Sequence, residues 1–63
     1  MSEHLMMVGE YILMRNYWRE QCLKAIANGC ADKANFSASF AAHNANKAID
    51  TMRDYIKYRI RYR

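Results

Sequence analysis

The C-terminal segment 57–63 alternates basic and apolar side chains, and it holds the residues best suited to binding chemistry. It carries four of the ten basic side chains in a chain of net charge +4. Arginine and lysine neutralise phosphates, and tyrosine rings stack on nucleobases. The segment therefore predicts contacts with nucleic acid or an acidic partner, made by Lys57, Tyr58, Arg59, Arg61, Tyr62 and Arg63.

Other interpretations of this segment stay open from the sequence. Basic residues at the C-terminus of a helix stabilise its dipole by about 0.3–1 kcal/mol each, without any partner. In an extended conformation, Tyr58, Ile60 and Tyr62 would share one side of a strand, which could add to the sheet edge of another protein. In a helical conformation, the alternation spreads charge around the helix, which argues against binding at a membrane surface.

Residue types that support catalysis or metal binding are present but poorly spaced. His4 and His43 are far apart, and Cys22 and Cys30 lack the tight, repeated spacing of a zinc site. The chain has no phosphate-binding loop, nucleophile elbow or dinucleotide fingerprint. We therefore predict a non-catalytic protein with no cofactor, no metal and no small-molecule substrate.

The same sequence favours a cytoplasmic location without membrane contact. No segment approaches the roughly 20 apolar residues that span a bilayer. Gly9 and Glu10 interrupt the apolar run 5–8, so the N-terminus does not resemble a signal peptide. On one helix, Cys22 and Cys30 would lie roughly 12 Å apart, too far for a disulfide, and free thiols suit a reducing compartment.

Glycine and proline usage predicts the architecture. The chain has no proline, and its only glycines are Gly9 and Gly29. Gly29 lies near the midpoint and suits the left-handed position that ends a helix. We predict one all-α domain over residues 1–63, an antiparallel two-helix hairpin. Its first helix spans about 3–28, its turn 29–31, its second helix about 31–60, and its basic C-terminal end 57–63.

A core between the helices is predicted from apolar residues at helical spacing. In an antiparallel register set by the turn, Trp18 lies opposite Ala41, so that large side chains of the first helix meet alanines of the second. The predicted core consists of Tyr11, Met14, Trp18, Ile26, Ala34, Ala38, Ala41, Ala45, Ala48 and Met52.

Further apolar residues lie off this core and predict a second interface. A hairpin of 63 residues buries little, and domains of this size usually gain stability from association. We expect a homodimer that forms a four-helix bundle. The alternative is that these are scattered surface residues of the ordinary kind. The residues assigned to the interface are Met6, Leu13, Tyr17, Phe36 and Phe40.

The segment Lys24 to Gly29, with the sequence KAIANG, lies at the centre of the hairpin. Together with the length and the basic aromatic end, it resembles the short helical accessory proteins of temperate lambdoid bacteriophages, of the exo–xis region type. This resemblance implies a regulatory protein in the host cytoplasm that binds and modulates a host protein. The competing expectation is a nucleic-acid-binding accessory protein that uses residues 57–63.

Overall fold

The computed structural model describes residues 3–61, which form two helices that pack against each other. Helix α1 spans Glu3–Ala27 and helix α2 spans Ala31–Arg61. The predicted all-α hairpin is thus confirmed, and the two helix ends beside the turn, at Ala27 and Ala31, lie within one residue of the prediction. The molecule is an elongated rod that measures 51 × 17 × 10 Å.

The turn is closed by backbone hydrogen bonds around Gly29, whose φ is 72°. The Gly29 amide donates to the carbonyl of Ile26 (3.0 Å), and the Cys30 amide donates to that of Ala25 (2.8 Å). This pair of bonds is the Schellman motif, which needs a left-handed residue and hence favours glycine. The Cys30 carbonyl then accepts from the Ala34 amide at 3.0 Å, which begins α2.

The seam between the helices follows a seven-residue repeat. Ala34, Ser37, Asn44 and Ala48 are the buried residues of α2, and Ala41 between them is half-buried. Their spacing alternates between three and four, as in coiled coils. Six of the buried and half-buried residues of α1 repeat in the same way, and these are Val8, Tyr11, Arg15, Trp18, Cys22 and Ala25.

Three residues of the predicted core are exposed, which corrects the sequence-based assignment. Met14 is 48% exposed and Ile26 is 62% exposed, and Ala38 is exposed as well. Each is the neighbour of a seam residue and therefore lies about 100° around the helix from the seam. The prediction admitted only apolar residues, and so it missed Ser37 and Asn44. The other predicted core residues are buried or half-buried: Tyr11, Trp18, Ala34, Ala41, Ala45, Ala48 and Met52.

The core of the described part is thin. Its buried apolar side chains are Val8, Ala25, Ala34 and Ala48, of which three are alanine. Many large apolar side chains remain in contact with solvent as a result. Neither helix within residues 3–61 has the length and hydrophobicity needed to traverse a membrane.

Candidate functional site

Four aromatic side chains form one surface on a side of the hairpin, here called the aromatic cluster: Tyr17, Trp18, Phe36 and Phe40. The ring centroids of Trp18 and Phe40 are 4.9 Å apart, and those of Phe36 and Phe40 are 4.7 Å apart. Tyr17 meets Trp18 edge to face at 5.1 Å. Because both helices contribute rings, the cluster depends on the hairpin being folded.

The position of Trp18 in the seam explains why the cluster forms. Trp18 is half-buried in the seam between the two helices. The indole extends to Phe36 and Phe40, which lie one helical turn apart on the same side of α2. Phe36 remains 59% exposed. Half-solvated rings of this kind are a surface that a binding partner can cover.

Cationic side chains border the aromatic cluster near the turn. Lys24 of α1 and Lys33 of α2 line the same groove as Trp18 and Phe36. Lys24 also pairs with Glu20 at 3.6 Å, but both side chains are more than 60% exposed. An ion pair so exposed contributes little stability. The groove therefore combines an aromatic wall with positive charge at its edge.

A second set of residues meets at the open end of the hairpin. The ring of His4 lies 6.2 Å from Tyr55 and 6.2 Å from Tyr58, between centroids. The guanidinium carbon of Arg59 lies 5.9 Å from the centroid of the Tyr55 ring, within the range of a cation–π interaction. The start of α1 is thus held against the end of α2.

The basic residues predicted for binding point to two different sides of the open end. Lys57 and Arg61 line one recess, whereas Arg59 lies over Tyr55. The carboxylate of Asp54 lines the same recess and offsets part of its positive charge. Tyr58 also lines it, and its side chain is exposed. Two other residues assigned to this end, Tyr62 and Arg63, lie outside the described residues.

The residues assigned to an oligomer interface lie on two different surfaces of the hairpin. Tyr17, Phe36 and Phe40 belong to the aromatic cluster. Met6 and Leu13 are exposed, and they lie seven residues apart on the outer side of α1. Lys24 and Lys33, which flank the turn, were not among the residues predicted from the sequence. Their distance from Gly29 along the two helices was the signal that could have placed them together.

The cysteine and histidine side chains of the described part do not cluster into a metal-binding site. Among residues 3–61, no group of three or more His, Cys, Asp or Glu side chains is arranged to hold a metal ion. Cys22 and Cys30 are both half-buried free thiols. The two arrangements of side chains on which a function can be argued are therefore the aromatic cluster and the open end.

Comparisons of the chain with protein-family models, with curated proteins and with solved structures found no match. The resemblance to phage accessory proteins, and the regulatory role that it implies, therefore stay predictions.

Proposed function

We propose that this protein is a non-catalytic interaction module that binds another protein through the aromatic cluster. The observation that carries the proposal is the set of four touching rings, with Phe36 59% exposed. Large aromatic side chains supply much of the binding energy in protein interfaces. An exposed apolar surface bordered by polar groups is typical of such an interface.

The chemistry around the cluster specifies the class of partner. A groove with an aromatic wall suits the apolar face of an amphipathic helix, which would lie along it. Lys24 and Lys33 at the edge of the groove favour acidic residues beside that face. The partner is therefore an acidic amphipathic helix, and binding would modulate the protein that carries it by covering that surface. In a phage-encoded protein, this partner belongs to the host.

Affinity capture from bacterial lysate, with and without nuclease treatment, tests the proposal with three tagged proteins. They are the wild type, the double variant Phe36→Ala/Phe40→Ala, and the control Leu13→Ala, which removes an exposed leucine outside the cluster. We expect one protein to be retained by the wild type and the control and to be lost from the double variant. The purified candidate should then change the fluorescence of Trp18 on titration.

Two outcomes would overturn the proposal. The first is a captured set that the double variant retains unchanged, although circular dichroism shows that each protein is folded. The second is a captured set that depends on nucleic acid, so that nuclease removes it from all three proteins. In the second case the basic open end, and not the aromatic cluster, makes the contact.

The open end supports a second candidate function, which is nucleic-acid binding. The supporting observation is that Lys57 and Arg61 line one recess with the exposed ring of Tyr58. Phosphate contacts and ring stacking are the two components of single-strand binding.

A salt titration with a single-stranded oligonucleotide tests this candidate. We expect Lys57→Gln/Arg61→Gln to lower the slope of log K against log salt by roughly 1.4, since each phosphate contact contributes about 0.7. Fluorescence anisotropy measures the slope. The control is Lys24→Gln/Lys33→Gln, which removes the same charge near the turn and should leave the slope unchanged. Equal slopes in the wild type and the Lys57/Arg61 variant would exclude this role for the recess.

A further inference from the structure

Helix α2 carries a second apolar seam, here called the isoleucine stripe: Ala38, Ala42, Ala45, Ile49, Met52 and Ile56. Its spacing alternates between four and three, the repeat by which helices pack along one another. Ala45 and Met52 are half-buried against α1, but Ile49 is 50% exposed and Ile56 is 49% exposed, so α1 covers the stripe only in part. A third helix would be needed to bury it.

The stripe is more apolar than the side of α2 that faces α1. Ser37, Asn44 and Thr51 lie in the seam with α1, and the first two are buried. The stripe contains no polar side chain along its whole length. The side of α2 best suited to burial is therefore one that the hairpin covers only in part.

The order of residues in the stripe shows what fits it. Its first half is alanine, and its second half is isoleucine and methionine. Two stripes in antiparallel orientation would pair Ala38 with Ile56 and Ala45 with Ile49, and the remaining alanine with methionine. Each small side chain then meets a large one. Such self-complementarity under a two-fold rotation is the requirement for a symmetric dimer interface.

We propose that the isoleucine stripe binds a second copy of this chain, with the two α2 helices packed antiparallel. The two-fold axis passes between Ala45 and Ile49 of each chain. Because the stripe lies about 100° around α2 from the seam with α1, the two α1 helices lie next to each other on one side of the α2 pair. This arrangement is a four-helix assembly built around α2. It differs from the interface predicted by sequence, which used Leu13 and the exposed aromatic residues.

Charge favours the antiparallel orientation. Each chain carries a net charge of +4, and Lys57, Arg59 and Arg61 lie at the end of α2. Antiparallel packing places the two basic ends at opposite ends of the dimer. Parallel packing would put them side by side and would oppose isoleucine to isoleucine. Like charges in contact weaken association, so the parallel form is disfavoured.

The exposed area of the chain is consistent with one such interface. The chain exposes 5230 Å², whereas a folded monomer of 7.5 kDa typically exposes about 4,200 Å². The difference of about 1,000 Å² resembles the area that each partner buries in a standard protein interface, about 800 Å². Phe36 and Phe40 lie on the opposite side of α2 from the stripe, so the aromatic cluster stays accessible in the dimer.

Sedimentation equilibrium at about 100 μM tests the dimer, a concentration well above the Kd of an ordinary stable interface. We expect the wild type to have twice the 7.5 kDa chain mass and Ile49→Asp to have the chain mass, because its carboxylate would be buried against the apolar side chain of Ala45 in the other copy. Leu13→Asp, which adds the same charge on the outer side of α1, should remain a dimer. Circular dichroism checks folding, and Ala42→Glu replaces Ile49→Asp if that variant does not fold.

Cysteine pairing tests the orientation, in proteins whose native Cys22 and Cys30 are replaced by alanine. An equimolar mixture of Ala38→Cys and Ile56→Cys should form the mixed disulfide, whereas Ile56→Cys alone should not cross-link efficiently. A cross-linked Ile56→Cys dimer would overturn the antiparallel arrangement. A monomeric wild type, or dissociation caused by Leu13→Asp and not by Ile49→Asp, would overturn the stripe as the interface.

Discussion

At the residue scale, the two glycines of the chain occupy opposite conformational situations. Gly29 has a φ of 72°, in the left-handed region where an L side chain is strained. Gly9 lies within α1, and a Cβ added there would meet no atom within 4 Å apart from its chain neighbours and the backbone of α1 itself. One glycine therefore serves the fold, whereas the other only lowers helix propensity.

The same substitution at these two positions should act in opposite directions. We expect Gly29→Ala to lower the free energy of unfolding by about 1–2 kcal/mol, because of the left-handed conformation. Gly9→Ala should raise it by about 0.5–1 kcal/mol, because alanine loses less backbone entropy in a helix. Urea titrations at one protein concentration measure both. Equal changes in the same direction would show that backbone conformation does not determine the effect.

At the element scale, the sequence is informative about the helices and less so about their contact. The boundaries follow from Gly29 and from the lack of proline, both visible in the sequence. The seam does not, because Asn44 is buried while Ile49 is half exposed. Hydrophobicity reports which side of α2 tends to be buried. It does not report whether α1 or a separate helix covers that side.

The candidate site was predictable to a similar extent. Tyr17, Phe36 and Phe40 were expected as exposed apolar residues, and their exposure agrees with that expectation. That they meet through Trp18 depends on the register across the seam and on the direction of each side chain. Lys57 and Arg59 lie on different sides of the open end because of their angular positions around α2. The pattern of charges along the sequence does not give those positions.

Trp18 links the two helices and should dominate the stability of this part of the hairpin. We expect Trp18→Ala to lower the free energy of unfolding by about 2–3 kcal/mol, somewhat below the 3–5 kcal/mol of a fully buried tryptophan. Tyr17→Ala, its exposed neighbour on the outside of the cluster, should cost less than about 1 kcal/mol. Circular dichroism in urea measures both. Equal losses would mean that Trp18 contributes no more to the packing of the helices than an exposed ring does.

At the scale of the whole molecule, the chain is far from spherical. Its radius of gyration is 14.8 Å, whereas a compact domain of 63 residues has about 10.6 Å. Two helices packed side by side leave most side chains exposed to solvent. Long lateral surfaces are the consequence, and the aromatic cluster and the isoleucine stripe occupy two of them.

The proposed dimer predicts a specific change in shape. The middle of the stripe lies near the middle of α2, so the two rods should overlap along their full length. Relative to the 14.8 Å of one chain, we expect the radius of gyration to rise by only about 2 Å, because packed helices lie about 8–10 Å apart. Small-angle X-ray scattering measures this change, with Ile49→Asp as the monomeric reference. A doubled maximum dimension would indicate end-to-end association instead.

The closed turn also has a consequence for how the chain reaches its native state. Contacts between the helices are nested: those beside Gly29 join residues close in sequence, Trp18 and Phe40 come next, and His4 and Tyr55 span almost the whole chain. Closing a short loop before a long one minimises the entropy lost at each step. Folding is therefore expected to proceed like a zipper from the turn, with the open end the last part to form and the first to fray.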